Sequence, residues 1–344
     1  MSYRDSVVIN VSYYFGFTRL PQSFDGSKDR ANPAYVAASI ATKALEFRQS
    51  ITTGELKPDL VGKKPEDGEL CMESYKWAFN ACRVPATPSD YAVKTREDDN
   101  QAQHFIVIHN NLFYSIPVTD SNGQRYGTKA LQQAIQSVLD KKKTGPPLGV
   151  LTSINRESWA QAHHHLVSHS TNANSIKAIE SAAFLIAFDS SSPSQSTNEA
   201  MVDFSKRLMH SSSGNEGNRW WDKPLQWIVF ANGEAGFEGE HSCMDGTPTA
   251  RLNHFLTQEL LSKPLKDDSS SSGTPNVASL TFEVDNKTQT AIDAALKEAE
   301  KERSTLELHY LLYDRYGKDG IKKAGFSPDA WLVFYGLYVH ACLM

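Results

Sequence analysis

A histidine and a carboxylate four residues apart form the most chemically suggestive pair in this sequence. They are His241 and Asp245, in the stretch EHSCMDG over residues 240–246. Histidine is the usual general base near neutral pH because its unperturbed pKa lies close to that pH. A carboxylate one helical turn away can orient the ring, favour one tautomer or anchor the local backbone. The spacing is common by chance, so on this segment alone it is more often typical of a surface histidine beside a helical neighbour.

Two lysines near the carboxyl end, Lys318 and Lys322, could bind an anion. The chain has 35 basic and 40 acidic residues and a net charge of −5. It therefore has no general attraction for nucleic acid or anionic lipid, and any anion site must be built locally. On a helix the two lysines would share a face, whereas Gly317 and Gly320 favour a turn. The alternative is an ordinary solvated basic loop.

Metal and disulfide chemistry have little support in the sequence. His163, His164 and His165 are adjacent, and adjacent side chains on a helix point in different directions, so they serve a single metal poorly. The four cysteines show no CxxC spacing, which argues against a zinc module or a disulfide framework and favours a reducing compartment. We therefore predict no metal site.

Several classes of protein are excluded by composition and by missing motifs. The chain lacks the GxSxG, P-loop and GxGxxG patterns of serine hydrolases, nucleotide triphosphatases and dinucleotide enzymes. No apolar run reaches the ~18–20 residues of a membrane span, and residues 1–6 show no signal-peptide core. A hydrophobic content of 40% and a charged content of 22% predict a globular chain.

The elements that must position these residues alternate between helices and strands. Two hairpins are predicted, one around His109-Asn110-Asn111 and one at Asn232-Gly233. Together they favour a mixed sheet covered by helices over a purely parallel fold. Apolar periodicity predicts helices over 34–51, 128–139, 175–184 and within 287–316, and strands over 104–108, 112–118, 148–152, 184–188, 226–230 and 279–284.

A long ordered stretch resembles a known family. Residues 218–246 carry an arginine, an aromatic, Asp-Lys, an apolar strand, a glycine turn, and then Glu-His and a carboxylate-glycine pair. This order resembles the signature of the choline/carnitine acyltransferases. The resemblance runs from about residue 5 to about residue 330, and it includes segments at 68–85, 104–114, 149–160 and 317–330.

The resemblance implies a fold. The family has the coenzyme A-dependent acyltransferase fold, which is chloramphenicol acetyltransferase-like: an α/β fold with mixed sheets, flanking helices, and a tunnel between two domains. Residues 1–278 would form the histidine-bearing domain, and residues 279–344 would begin a second domain that is incomplete. The serine-rich stretch 267–275 is the predicted boundary.

The resemblance also implies an activity: reversible transfer of an acyl group, expected to be acetyl, between coenzyme A and carnitine. His241 would be the general base and Asp245 would orient it. Lys318 and Lys322 would bind the 3′-phosphate of coenzyme A, and Asp329 would lie near its adenine or pantetheine. Coenzyme A is then a co-substrate, with no permanently bound cofactor and no metal.

Several expectations accompany this hypothesis. The chain resembles the middle of a short-chain, fungal-type family member truncated at both ends, so a non-catalytic remnant is the first alternative. Choline as the acceptor and a longer acyl chain are the others. We expect a monomer without a transmembrane segment or a nucleic-acid partner, located inside the cell in the mitochondrion or peroxisome.

Overall fold

A mixed sheet, seven-stranded in the part of the chain that the structure describes, forms the centre of the protein. The computed structural model describes residues 1–8, 11–18, 32–62, 64–262 and 273–343. The strands are β1 (Ser12–Gly16), β2 (Ala81–Val84), β3 (Tyr91–Lys94), β4 (His104–His109), β5 (Leu112–Pro117), β6 (Leu185–Asp189), β7 (Gln226–Phe230), β8 (Ala235–Glu240) and β9 (Ala278–Ser279), with β2 and β3 forming a separate ribbon. The order in the main sheet is β1-β8-β7-β6-β4-β5-β9, in which β4–β6 and β6–β7 pair parallel and the other neighbours pair antiparallel.

Helices cover both faces of this sheet, which confirms the predicted mixed α/β architecture. They are α1 (Pro33–Thr52), α2 (Thr128–Leu139), α3 (Arg156–Val167), α4 (Ser170–Ser181), α5 (Asn198–His210), α6 (Gly246–Ser262), α7 (Asn286–Thr305), α8 (Lys318–Lys323) and α9 (Pro328–Leu343).

Side-chain alternation along the strands assigns the two faces. On β4, Phe105 and Val107 pack into a core with α1, α2 and α6, while Ile106 and Ile108 pack into a second core with α3, α4 and α7. Helix α5 covers β7 on the same side of the sheet as this second core. Trp220 and Trp227 are buried, as expected for core tryptophans. The sheet is thus the middle layer of three.

Both predicted hairpins are present. Asn110 and Asn111 have φ values of 51° and 60° in the turn between β4 and β5. Asparagine tolerates this left-handed conformation better than most residues, which is why it is typical of tight hairpin turns. Gly233, with φ of 80°, occupies the turn between β7 and β8. The second turn matters most here, because β8 leads directly to His241.

Two predicted strands are wrong. Residues 148–153 form a 3₁₀ turn, in which Leu148 and Val150 donate to the carbonyls of Pro146 and Pro147. The backbone at Gly149 also lies so close to the carbonyl of Arg219 that a Cβ would overlap it. Local turn bonds and close packing therefore replace the strand that the apolar run predicted.

The second wrong strand is 279–284, of which Ser279, with the preceding Ala278, pairs with β5, and the amide of Leu280 donates to the carbonyl of Phe113 at 2.9 Å. Beyond it, side chains of α4 bind the backbone instead. Ser175 donates to the carbonyl of Thr281 at 2.6 Å, and Asn172 exchanges two hydrogen bonds with the backbone of Glu283. The backbone is satisfied without a neighbouring strand.

Helix α7, which lies in the predicted second domain, packs against residues of the predicted histidine-bearing domain. Its residues Ile292 and Ala295 are buried in the same core as Trp159 and Val150. The division at 278/279 stays a prediction, and most of the serine-rich stretch 267–275 lies outside the described residues. The described helices include none long and apolar enough to cross a membrane.

Candidate active site

The end of strand β8 positions His241. The residue directly follows β8, and its amide donates to the carbonyl of Val11 at 3.1 Å, which extends the β1–β8 pairing by one residue. A turn then leads into α6, which begins at Gly246. The backbone of His241 is therefore fixed by the sheet on one side and by a helix start on the other.

The structure brings His241 and Asp245 together. The Nε2 atom of His241 lies 3.4 Å from Oδ1 of Asp245, longer than a normal hydrogen bond but close enough for charge attraction. The side chains are 48% and 73% exposed. Asp245 also accepts from the amide of Gly246 at 2.6 Å. This carboxylate can stabilise an imidazolium, and the exposed ring can exchange a proton with a bound molecule.

Tyr13 is the ring neighbour of His241, and the sequence analysis missed it. The two rings meet edge to face with centroids 5.1 Å apart. The phenol oxygen lies 2.6 Å from the hydroxyl of Thr249, which also donates to the carbonyl of Gly246. Burial raises the pKa of Tyr13 to about 12, so its ring supports the imidazole as a neutral phenol. The aromatic stretch SYYFG was the available strand signal.

Glu240 lies beneath the site rather than in it. Its side chain is fully buried, and its Oε2 accepts from the amide and the hydroxyl of Ser242 at 3.1 and 2.6 Å. Arg83 donates to its Oε1 at 3.0 Å. Burial raises the pKa of Glu240, although Ser242 and Arg83 oppose this shift. Glu240, which precedes His241, thus fixes the backbone of Ser242, which follows it.

A chain of buried opposite charges continues from Arg83 into the protein. Asp90 accepts from the Nε atoms of Arg83 and Arg156 at 2.7 and 2.6 Å, and Arg156 lies 2.7 Å from Asp222. Burial raises the pKa of Asp90, but Arg156 and Arg83 outweigh it and hold the pKa below its usual value. With Glu240 at one end, three carboxylates alternate with two guanidinium groups.

Two further contacts complete this network. Arg4, whose side chain is 27% exposed, donates to Asp90 at 2.8 Å and supplies a third positive charge. The indole of Trp159 donates to Asp222 at 2.7 Å. The charges then balance, as groups held away from water require.

Arg219 does not pair with Asp222, the acidic residue three positions along the chain. Arg219 lies 3.8 Å from Asp189 and donates to the carbonyls of Asn218 and Arg207. Asp222 pairs with Arg156 instead. Nearness in sequence does not determine the partner of Arg219, because tertiary packing places the carboxylate of Asp189, at the end of β6, beside it.

The predicted coenzyme A residues lie on the carboxyl-terminal helices α8 and α9. Lys318 and Lys322 are exposed on α8, so the expected turn is wrong and the two lysines share a helical face. Asp329 is exposed in the first turn of α9. Trp331 packs on Phe326 with ring centroids 5.2 Å apart, which joins the two helices. Among the described residues, no hydrogen bond, ion pair or ring contact connects these three to His241.

Cavity volume alone does not locate the site. A cavity of 890 Å³ lies between α3, α7 and residues 85–91, and His241 is not among its lining residues. His241 lies instead at the end of β8, beside β1, with a half-exposed side chain.

The amino-acid sequence matches one family over almost the whole chain. The model of the "Choline/Carnitine o-acyltransferase" family matches residues 1–334. This chain belongs to the choline/carnitine acyltransferase family. The mixed sheet with flanking helices is in keeping with the coenzyme A-dependent acyltransferase fold of that family.

This chain has relatives whose names differ in acceptor and acyl group. It is 29% identical over 353 residues to "Carnitine O-acetyltransferase" of Columba livia, covering 99% of this chain and 54% of that protein. It is 29% identical over 322 residues to "Choline O-acetyltransferase" of Danio rerio, covering 90% and 49%. It is 26% identical over 364 residues to "Carnitine O-palmitoyltransferase 2, mitochondrial" of Homo sapiens, covering 96% and 52%. The chain spans about half the length of these relatives.

Proposed function

We propose that this protein acts as a carnitine O-acyltransferase that moves an acetyl group reversibly between coenzyme A and carnitine. The observation that carries the proposal is the half-exposed His241 ring with Asp245 at 3.4 Å. Family membership supports acyl transfer, and the Columba livia relative supports carnitine and acetyl as the substrates. The relatives named for mitochondria support a mitochondrial location, with the peroxisome as the alternative.

His241 would act as the general base. It removes the proton from the carnitine hydroxyl, whose oxygen attacks the thioester carbonyl to give a tetrahedral oxyanion. The oxyanion collapses, the carbon–sulfur bond breaks, and the imidazolium returns the proton to the departing thiolate. Asp245 stabilises the imidazolium between these two transfers. These steps balance without a metal or a redox cofactor, since the proton and the electron pairs all come from the two substrates.

Coenzyme A would be held by Lys318, Lys322 and Asp329. Lysine acts as a point charge for phosphate, and two lysines four residues apart on α8 present their charges on one side. The 3′-phosphate is the group that we assign to them. Asp329, at the start of α9, would contact the adenine or pantetheine portion.

The test is an acyl-transfer assay that follows thiol release from acetyl-CoA with carnitine. It uses the 344-residue protein and the same chain extended with the carboxyl-terminal half of the Columba livia relative. His241→Ala should lower turnover by ~10²–10⁴ with little change in coenzyme A affinity. His254→Ala, which removes an exposed histidine from α6, is the control and should leave the rate unchanged.

The outcomes separate the alternatives. Near-normal turnover by His241→Ala would refute the assignment of the base. Transfer by neither form would identify a non-catalytic family member. Preference for choline over carnitine, or for palmitoyl-CoA over acetyl-CoA, would retain the chemistry and correct the substrate.

A further inference from the structure

Three side chains of metal-binding type converge where α3 meets α4. His165 lies near the end of α3, His169 immediately precedes α4, and Asp285 caps the start of α7. One ligand atom from each lies within 4.8 Å of the other two. They come from segments about 115 residues apart, so the tertiary fold assembles the cluster.

The distances suit a common metal ligand sphere. Nε2 of His165 lies 2.8 Å from Oδ2 of Asp285, and Nε2 of His169 lies 3.9 Å from the same oxygen. In a tetrahedral zinc site with bonds near 2.0–2.1 Å, ligand atoms lie about 3.3 Å apart. The two histidine-to-carboxylate separations lie on either side of that value, and any two of the three ligand atoms are within 4.8 Å, so shifts of up to about 1.5 Å would place all three around one ion.

Neighbouring groups already orient the carboxylate and add negative charge. The Oδ1 atom of Asp285 accepts from the amide of Thr288 at 2.8 Å, which leaves Oδ2 facing the histidines. Oε2 of Glu283 lies 4.0 Å from Nδ1 of His169. A second carboxylate at the far side of a ligating imidazole is the usual outer-shell arrangement of metal sites. The histidine side chains are 20% and 39% exposed, so an ion can reach them.

The sequence prediction of no metal site rested on His163, His164 and His165 and did not consider His169 or Asp285. His163, His164 and His165 point in different directions, but residues 165 and 169 are four apart and meet across the α3–α4 junction. Their rings lie edge to face with centroids 5.6 Å apart. The third ligand could not be found from spacing, because Asp285 is distant in sequence.

We propose that His165, His169 and Asp285 bind a divalent transition-metal ion of the zinc class, with water in the remaining position. Two imidazoles and one carboxylate form a donor set that zinc accepts. The ion would connect the α3–α4 junction to the first turn of α7. Its role is structural, since α7 contributes buried residues to the core and the metal fastens the chain where that helix begins. The site is independent of the proposed acyl transfer.

Isothermal titration of the chelator-treated 344-residue protein with ZnCl₂ tests the proposal. We expect one tight site, weakened about tenfold or more by His165→Asn, His169→Asn or Asp285→Asn. Asparagine remains a good helix cap, so Asp285→Asn removes the charge without removing the cap of α7. His164→Asn is the matched control, because it removes an exposed neighbouring histidine that is outside the cluster, and it should bind like the wild type.

Two further measurements keep the result decisive. Added Co²⁺ should give the visible absorption of a four-coordinate nitrogen and oxygen site, without the near-ultraviolet thiolate band that binding at cysteine would produce. Zinc should also raise the thermal midpoint of the wild type and of His164→Asn but not of the three cluster variants, each shown to be folded by circular dichroism. Zinc binding that is absent in the wild type, or equal in the cluster variants and the control, would overturn the proposal.

Discussion

Replacing Arg83 with methionine should strongly destabilise the protein. Arg83 is 2% exposed and bridges two carboxylates, Asp90 at 2.7 Å and Glu240 at 3.0 Å. Methionine preserves much of the buried hydrocarbon length but removes both charge-assisted hydrogen bonds. Glu240 would then be buried with Ser242 as its remaining hydrogen-bond partner among the described residues.

The magnitude follows from these contacts. A hydrogen bond to a charged group contributes ~1.5–3 kcal/mol, so two such bonds are worth roughly 3–6 kcal/mol. Breaking a buried ion pair by removing one partner costs about 3–5 kcal/mol. Asp90 retains Arg156 and Arg4 in the variant, which favours the lower range. We therefore expect a loss of about 3–5 kcal/mol in the free energy of unfolding.

Urea unfolding followed by tryptophan fluorescence measures this loss as a fall in the midpoint of roughly 1–2 M. Arg96→Met is the matched control: its partner is Asp98, and the two side chains are 83% and 68% exposed. Exposed pairs contribute little, so the control should unfold like the wild type. An Arg83→Met midpoint that coincides with that of the control would refute the reasoning.

A double-mutant cycle tests the same contact independently. Glu240→Gln removes the charge that Arg83 neutralises, so Arg83→Met should cost less in that background. The two losses should sum to about 0.5–3 kcal/mol more than the loss of the double variant. Additive losses would show that the bridge between Arg83 and Glu240 contributes nothing.

Three further outcomes are expected. Burial raises the pKa of Glu238 to about 8, against 4.5 for an ordinary glutamate, so the folded protein retains a proton that the unfolded chain releases and loses stability as the pH rises from 4.5 to 8. Glu238→Gln should lack this part of the pH dependence, and unfolding curves that change equally with pH in both proteins would contradict the assignment. Lys318→Ala and Lys322→Ala should weaken binding of coenzyme A more than that of dephospho-coenzyme A by calorimetry, whereas equal losses would show that neither lysine contacts the 3′-phosphate. Tyr13→Phe removes the hydrogen bond to Thr249 and should lower the free energy of unfolding by about 0.5–1.5 kcal/mol, and an unchanged urea midpoint would show that this bond is not stabilising.

Elements with a strong local signal were predictable from the sequence. Helix α2 begins and ends at the predicted residues because its apolar positions recur on one face. The two hairpin turns were identified by Asn110-Asn111 and Asn232-Gly233, because asparagine and glycine tolerate the positive φ values of tight turns. The closeness of His241 and Asp245 was expected from the spacing of one helical turn, but a non-helical bend before α6 brings the two residues together.

Features that depend on distant partners were not predictable. Tyr13 reaches His241 because β1 pairs with β8, with Tyr13 opposite Gly239. Arg219 finds Asp189 rather than the nearer Asp222 because β6 passes beside it. In each case the local sequence is compatible with several partners, and the assembled sheet selects one.

The pairing of β1 with β8 has a consequence for how the protein is made. Tyr13 and Gly239 are about 225 residues apart in the chain, so the first strand cannot dock until the eighth has left the ribosome. At ~5–20 residues per second, that interval lasts roughly 10–45 s. During this interval the aromatic residues of β1 have no partner strand. We therefore expect chaperone binding to the β1 segment at this stage of synthesis.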